Sequence, residues 1–430
     1  MDKQQKELLE EKRKQYKDET KEEWLNLKNE TFAKFASSIY DWPNQEPRKV
    51  SEGIKRTFRL HKERIKNNGL EIKTKLETTK DAVETSPIFT KKKKGLGHYE
   101  NQTEYKAGHK TVEYYKDGKL IKKYKNPFIL YANIVNTTTD EILRDTYNCP
   151  NCSSPVKVEE LTDGCPYCHT RFSISDMYPV VNNYYDINRT KTEELEPQKL
   201  IKILTVLLTV LFFSYICIKE GFSITLLLSS IILIFACYLM STILVGMFMI
   251  LGLIIEGITE SGKNAPISTK FTPKKIEGLM QKYDNEFTYN YFEGEIISLL
   301  KRIIYSSNPN ELSIYTGDKK LDFSNIINTE YKGGIKLVKS YQKDNKIYLD
   351  LIVYMLNTYI ENGKIDSKPY PYKITVCRNI NAKQDYSFSV EKIACHGCGA
   401  SFDGESKNKC PYCGNPFNLS DYDFTIEEIK

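Results

Sequence analysis

From Lys199 to Glu260 the composition changes abruptly, and no other stretch constrains the fold as strongly. Ile203 to Ile218 is uncharged; Lys219, Glu220 and Gly221 interrupt, and Phe222 to Ile255 is uncharged again. A membrane-crossing helix needs about 20 apolar residues, so the first run suffices once Leu200 and Ile201 join it and Lys202 snorkels. The second run, at 1.5 Å per residue, makes a helix of about 50 Å, longer than one crossing requires. With no Pro, Asn or charge inside it, one tilted or protruding helix is favoured over two short crossings. A globular helix of this length needs a polar face, which disfavours a buried soluble core. A cleaved signal peptide does not fit, because the segment is internal and the first forty residues are highly charged.

The expectation is a transmembrane hairpin over 199–256, with spans at about 200–218 and 222–250. Arg189, Lys191, Lys199 and Lys202 precede it, Lys263, Lys270, Lys274 and Lys275 follow, and the turn carries only Lys219 with Glu220. Positive flanks on both sides predict a multi-pass protein of the cell membrane with both termini cytoplasmic.

Eight of the 11 cysteines fall in four CxxC pairs. Cys149-Pro-Asn-Cys152 precedes Cys165-Pro-Tyr-Cys168, and Cys395-His-Gly-Cys398 precedes Cys410-Pro-Tyr-Cys413. Each CxxC places two sulfurs on one tight knuckle, and two facing knuckles complete a tetrahedral thiolate shell. The expectation is two structural zinc ions, in ribbons at 149–168 and 395–413, with His169 and His396 as bystanders. Four thiolates leave no open position at which to activate water, so these sites hold folds together rather than catalyse. Thiolate sites also last best where thiols stay reduced, in agreement with cytoplasmic flanks. Cys217, Cys237 and Cys377 read as apolar filler.

The ribbons begin 246 positions apart, and the likeness extends beyond them. Tyr115-Lys-Asp-Gly118-Lys119 and Lys125-Asn-Pro-Phe128 match Ile360-Glu-Asn-Gly363-Lys364 and Tyr370-Pro-Tyr372, and Phe172-Ser-Ile-Ser-Asp176 matches Phe417-Asn-Leu-Ser-Asp421. Two copies of a domain explain a repeat of this length. In the second half, Thr272 to Tyr283 and Thr288 to Tyr305 have helical spacing. Gly334 to Gln342, Lys346 to Ile360 and Lys373 to Arg378 read as strands, turning at Asp344-Asn345 and Asn362-Gly363, with a last strand from Ser387 to Ile393. In the first half, Glu23 to Ile39 and Glu52 to Lys66 are helices and Thr111 to Tyr124 folds about Asp117-Gly118. Phe128 to Val135 is a further strand, followed by a short helix capped near Thr138 or Thr139.

The resulting fold class is α+β: two modules of helices plus antiparallel sheet, each ending in a short zinc ribbon, separated by the transmembrane hairpin. The boundaries are 1–50 for a charged helical region, 51–180 for the first module, 199–256 for the hairpin, 270–394 for the second module and 395–430 for its ribbon and tail. Lys91 to Lys94 form a basic loop, either solvated or touching anionic lipid headgroups. Lys3 to Lys21 read as an exposed helix, with sustained heptads lacking.

Asp284-Asn-Glu-Phe287 opening an apolar helix, the helix-then-sheet order, and Cys395 to Cys413 followed by Leu419-Ser-Asp-Tyr-Asp423-Phe424 are similar to bacterial membrane proteins that carry the inner-membrane translocase subunit 44-like domain. The resemblance covers about 270–430. It implies a nuclear-transport-factor-2-like fold, a cone of helices on a curved antiparallel sheet, serving binding or scaffolding. Trp is frequent in such relatives where Phe424 stands, and Pro where His396 stands in the knuckle.

The functional expectation is a non-enzymatic integral membrane scaffold whose cytoplasmic modules bind a protein partner or the bilayer surface. No catalytic or cofactor-binding residue is assigned. The alternative is an enzyme or small-ligand binder using the cone, with Asp350, Tyr354 and Tyr359 as candidates on the long strand. Nucleic acid is disfavoured as a partner. A net charge of +6 is small for 430 residues, and Glu159, Glu160 and Asp163 in one ribbon and Asp403 with Glu405 in the other would repel phosphate.

Overall fold

The computed structural model describes residues 30–39, 41–78, 91–92, 99–137, 146–149, 152–157, 165–168, 180–188, 197–221, 224–259, 265–285, 287–383, 393–405 and 407–430. They form two compact units, one of Met1–Ile187 with Asn264–Lys430 and one of Asn188–Lys263. The second unit is a pair of helices, α3 (Pro197–Glu220) and α4 (Ile224–Thr259), broken at Gly221, whose φ of 78° no side-chain-bearing residue adopts readily. Each contains a stretch long and apolar enough to cross a membrane, Gln198–Lys219 and Ser230–Gly252. The second apolar run is thus one continuous helix from Ile224, as its lack of breakers implies. Where the helices pack together, Cys237, Ser241 and Val245 are buried on one face of α4, while Ile203, Leu211, Ile231 and Phe235 stay exposed. Small residues at a helix contact let the backbones approach.

In the larger unit the first half supplies α1 (residues 30–39), α2 (Glu52–Asn67) and a sheet. Its strands are β1 (Leu70–Thr78), β2 (Lys91–Lys92), β3 (Tyr99–Lys116), β4 (Lys119–Thr137) and β7 (Val180–Asn188). A small hairpin, β5 (Thr146–Asn148) and β6 (Pro155–Lys157), carries the first cysteine knuckle. The second half supplies α5 (Thr272–Met280), α6 (Tyr289–Tyr305), β8 (Ile326–Lys343), β9 (Lys346–Glu361), β10 (Lys364–Asn379) and β13 (Thr425–Ile429). Its knuckle hairpin is β11 (Ile393–Ala394) with β12 (Ser401–Phe402). The sheet orders are β1-β3-β4-β7 and β8-β9-β10-β13. In both halves the cysteine hairpin is inserted between the third strand of that order and the last.

Local chemistry accounts for the turns. Asp117 and Gly118, Asp344 and Asn345, and Asn362 and Gly363 all have positive φ, the backbone that a two-residue hairpin needs to match strand twist. Period-two burial of Ile347, Leu349, Leu351, Val353 and Met355 sets the inner face of β9. The segment from Phe128 to Val135 is not a separate strand. It is the far end of β4, which pairs with β3 from Lys119 to Thr137, because nothing between Tyr124 and Phe128 breaks the ladder. The helix expected at Thr138 or Thr139, the stretch before residue 30, Lys93 and Lys94, and most of Ser387 to Ile393 lie outside the described residues.

The halves expected on either side of the hairpin are one body rather than two. Helix α2 packs along α6, and each also touches the other half's sheet, α2 against β8 and α6 against β4. Ile327 and Ile365 from the second half complete the first half's core, while Leu60 and Tyr185 from the first pack on the core of the second. The buried Arg64 guanidinium donates to the carbonyls of Ile304 at 3.0 Å, Ser306 at 2.9 Å and Phe323, satisfying the C-terminal end of α6. At its other end α6 lies so close to β7 that a Cβ on Gly294 would sit 2.6 Å from the Asn182 carbonyl oxygen.

Gly294→Ala is therefore expected to destabilise the protein by about 2 kcal/mol, since backbone cannot yield as a side chain can. Gly278→Ala in α5, where an added Cβ meets nothing, should stabilise by about 0.5–1 kcal/mol. Thermal unfolding of both variants checks the pair.

Candidate functional site

The eight paired cysteines converge as two four-sulfur clusters, Cys149, Cys152, Cys165 and Cys168, and Cys395, Cys398, Cys410 and Cys413, with ligand atoms within 4.8 Å of one another. Sulfur–sulfur separations are 3.6 Å for Cys149–Cys168, 3.7 Å for Cys152–Cys165, 3.5 Å for Cys395–Cys413 and 3.7 Å for Cys398–Cys410. A tetrahedron with metal–sulfur bonds of about 2.3 Å has edges of about 3.8 Å, so the spacing suits one metal ion per cluster. Three of the four knuckles are seen to be built by a backbone turn. The N–H of Ser153 donates to the Cys149 carbonyl at 2.7 Å, that of Gly399 to Cys395 at 2.7 Å and that of Gly414 to Cys410 at 2.9 Å. These three residues have φ of 59°, 72° and 73°, which explains glycine at two of them.

The backbone N–H groups of Cys398 and Gly397 aim at the Cys395 sulfur and hold its thiol down to about 6. The Cys413 thiol is pushed up to about 12: an N–H from Asn415 favours its thiolate, but the sulfurs of Cys395 and Cys398 outweigh it. Four thiolates at this spacing need a cation among them. Each cluster offers four sulfurs and, among the described residues, no fifth donor, an arrangement suited to holding a metal without presenting it to a substrate.

The second cysteine cluster is clamped to the body by charges that the sequence alone presents as repulsive surface. Glu405 is fully buried, 2.6 Å from Arg302 of α6 and 3.2 Å from Arg56 of α2, and Asp403 lies 3.4 Å from Arg56. The Ser313 N–H donates to the Glu405 carbonyl at 2.6 Å, and the Ser313 hydroxyl to that of Gly404. Asp403 and Glu405 are thus consumed in docking and cannot be counted against phosphate; Glu159, Glu160, Asp163 and His169 lie outside the described residues. His396 points away from the sulfurs and meets the Tyr422 hydroxyl at 2.6 Å. Tyr167 and Tyr412, at matching positions of the two Cys-Pro-Tyr-Cys knuckles, are 66% and 73% exposed.

Asp350, Tyr354 and Tyr359 do not form a site. Core residues of β9 are odd-numbered from Ile347 to Met355, so Asp350 and Tyr354 are on the opposite face, where Asp350 accepts from the Thr375 hydroxyl at 2.8 Å. A cavity of about 100 Å³ lies between the two halves. His61 forms one wall, stacked on Trp42 at 4.6 Å and Tyr305 at 4.4 Å, its Nε2–H donating to the Ile327 carbonyl at 2.9 Å. Burial drives the His61 pKa down to about 3, so the ring is neutral.

Opposite are charges from both halves. Lys110 of β3 lies 3.2 Å from Asp186 of β7 and 3.1 Å from Glu330 of β8, and Lys332 lies 3.0 Å from Glu330. Burial alone would lower the Lys110 pKa, but Asp186 and Glu330 outweigh it and hold it above its ordinary value. For Glu330 burial is likewise overcome by Lys110 and Lys332, which keep it ionised. Nearby, Glu293 of α6 accepts from the hydroxyls of Tyr331 at 2.6 Å and Tyr289 at 3.2 Å and from the Asn183 amide at 3.1 Å. Burial nevertheless raises its pKa. Four elements, β3, β7, β8 and α6, contribute these groups, and no local motif joins them.

Compared with family models, curated proteins and solved structures, the chain matches none of them.

Two outcomes follow. Glu405→Gln leaves Arg302 and Arg56 without their buried counter-charge and should cost about 3 kcal/mol in denaturant unfolding. For His61, the unfolded ring takes a proton below its ordinary pKa of about 6.5 while the folded ring does not until about 3. Its contribution is therefore complete above neutrality and shrinks as pH falls, by up to about 1.4 kcal/mol per pH unit. The loss of stability between pH 6.5 and 4 should be shallower in His61→Phe than in the parent, measured by unfolding at each pH.

Proposed function

We propose that this chain is a multi-pass protein of the cell membrane, anchored by α3 and α4 with both flanks cytoplasmic, acting as a non-enzymatic scaffold that presents two zinc-thiolate knuckles to a protein partner. The observation that carries the reading is the pair of equivalent exposed tyrosines, Tyr167 and Tyr412, each held at a knuckle tip by a closed four-cysteine cluster. Aromatic side chains on rigid turns supply contact area at little entropic cost and dominate many protein interfaces. Zinc is the metal best suited to four thiolates in a structural role, bound by Cys149, Cys152, Cys165 and Cys168 and by Cys395, Cys398, Cys410 and Cys413. It would hold each knuckle shut and supply no catalytic chemistry there.

The apolar faces of α3 and α4 support insertion in the lipid bilayer, and the positive flanks support the orientation. The translocase subunit 44-like resemblance of residues 270–430 belongs to the same reading. Its support is the order in that region, helices α5 and α6 followed by an antiparallel sheet and then the knuckle.

Detergent-purified protein should contain two zinc equivalents, falling to one in Cys165→Ser and one in Cys410→Ser by elemental analysis. Membrane-impermeant thiol reagents applied to intact cells should leave thiols engineered at both termini unlabelled. Tyr167→Ala with Tyr412→Ala should retain both zincs and release the cross-linked partner; retention of that partner would refute the knuckle surface.

A further inference from the structure

The cavity between the halves contains one cation that neither the fold nor the zinc sites use. Lys301 of α6 lines it and is 8% exposed. Its ammonium lies 5.1 Å over the Tyr184 ring, and among the described residues it has no hydrogen-bond or ion-pair partner. The other charged walls are matched: Lys110 is held by Asp186 and Glu330, and Glu330 also by Lys332, which does not line the cavity. The charged groups of the lining are thus Lys110, Lys301, Asp186 and Glu330, with His61 neutral. Lys301 is therefore the lining cation whose ammonium has no hydrogen-bonded or ion-paired oxygen among the described residues, in a setting where an unpartnered charge is costly.

The remaining walls are aromatic. Trp42 and Phe58 meet edge to face at 5.5 Å, and Phe58 stacks on Tyr184 at 5.9 Å. A volume of about 100 Å³ is smaller than the 150 Å³ or so of a benzene-sized hole and suits a molecule of about three to five carbons. A single carboxylate supplies the acceptor that Lys301 lacks; a dianion would bring a second negative charge beside Asp186 and Glu330, and a neutral molecule would leave the ammonium unmatched.

We propose that this cavity binds a short-chain carboxylate, its anionic end on Lys301 Nζ and its alkyl part against Trp42, Phe58 and Tyr184. This use of the body is separate from the knuckle surface and does not depend on it.

Butyrate is the probe, with 1-butanol as its neutral counterpart and inorganic phosphate as the competing anion, each titrated into the full-length protein in detergent by ligand-detected NMR. Butyrate should saturate and bind at least ten-fold more tightly than butanol. Lys301→Met should lose ten-fold or more of that affinity with zinc content unchanged, and Lys301→Arg should recover it to within a few-fold.

Affinity in the parent protein should also fall as pH rises past about 8, where burial has brought the Lys301 pKa against the opposing pull of Glu330 and Asp186. The groups facing Lys301 are His61 on α2, Lys110 on β3, Tyr184 and Asp186 on β7, Tyr305 on α6, and Glu330 and Lys332 on β8. This measurement, like the comparison with butanol, needs no variant to fold. Equal binding of butyrate and butanol, undiminished binding by a folded Lys301→Met, or saturation by phosphate with butyrate silent would each overturn the assignment.

Discussion

The contact of α2 along α6 is the interaction on which the rest of the larger unit depends. It joins two halves that the sequence places on either side of 76 residues of a separate unit, Asn188–Lys263. Once the helices lie together, Arg64 reaches the end of α6, Arg56 and Arg302 come close enough to share Glu405, and Trp42, His61 and Tyr305 stack. The second cysteine knuckle is held on the body by those same two arginines. Separating α2 from α6 would undo the clamp and open the cavity together.

Both clusters of interior charge obey one rule: an ion leaves water only where opposite charges and hydrogen bonds replace its hydration. The Glu405 cluster has two guanidinium groups around one carboxylate, with a further carboxyl pair close by. Burial raises the pKa values of Glu295 and Asp423 against the pull of Arg378 and Arg302, and for Glu295 the neighbouring Asp423 adds to the rise. The Lys110, Glu330 and Lys332 cluster is satisfied in the same way, with Asp186 as the fourth member. Lys301 is the exception, and an exception in a cavity wall is more informative than another satisfied pair. Glu293, by contrast, has three donors and reads as a core carboxylate fixing α6 to β7 and β8.

How much could be read beforehand varied with the range of the interaction. Helix α6, the hairpin turns at Asp117-Gly118 and Asn362-Gly363, and the continuity of α4 all follow from neighbours within a few residues, and the structure has them where local chemistry puts them. Cys149 to Cys168 and Cys395 to Cys413 were legible because knuckle geometry is itself local. Asp350 and Tyr354 failed as candidates for a register reason: strand alternation puts them on the face away from the core. Asp403 and Glu405 were misread because a carboxylate looks the same in one-letter code whether it faces water or an arginine from another element. Nothing within a short window connects Trp42, His61, Lys110, Asp186, Lys301 and Glu330.

The sequence by itself determined the elements and the metal chemistry: two uninterrupted apolar helices, paired strands with their turns, and two sets of four thiols at knuckle spacing. Those are dictated by backbone propensity and by residues at most about forty apart along the chain, whose encounter costs little loop entropy. Only the tertiary structure decided that the halves would be one body, which carboxylates would be spent on docking, and where a cavity would remain. Such outcomes depend on which surfaces meet across hundreds of residues, and the energies that select them, packing between α2 and α6 and charge pairing out of water, exist only after the chain has closed on itself.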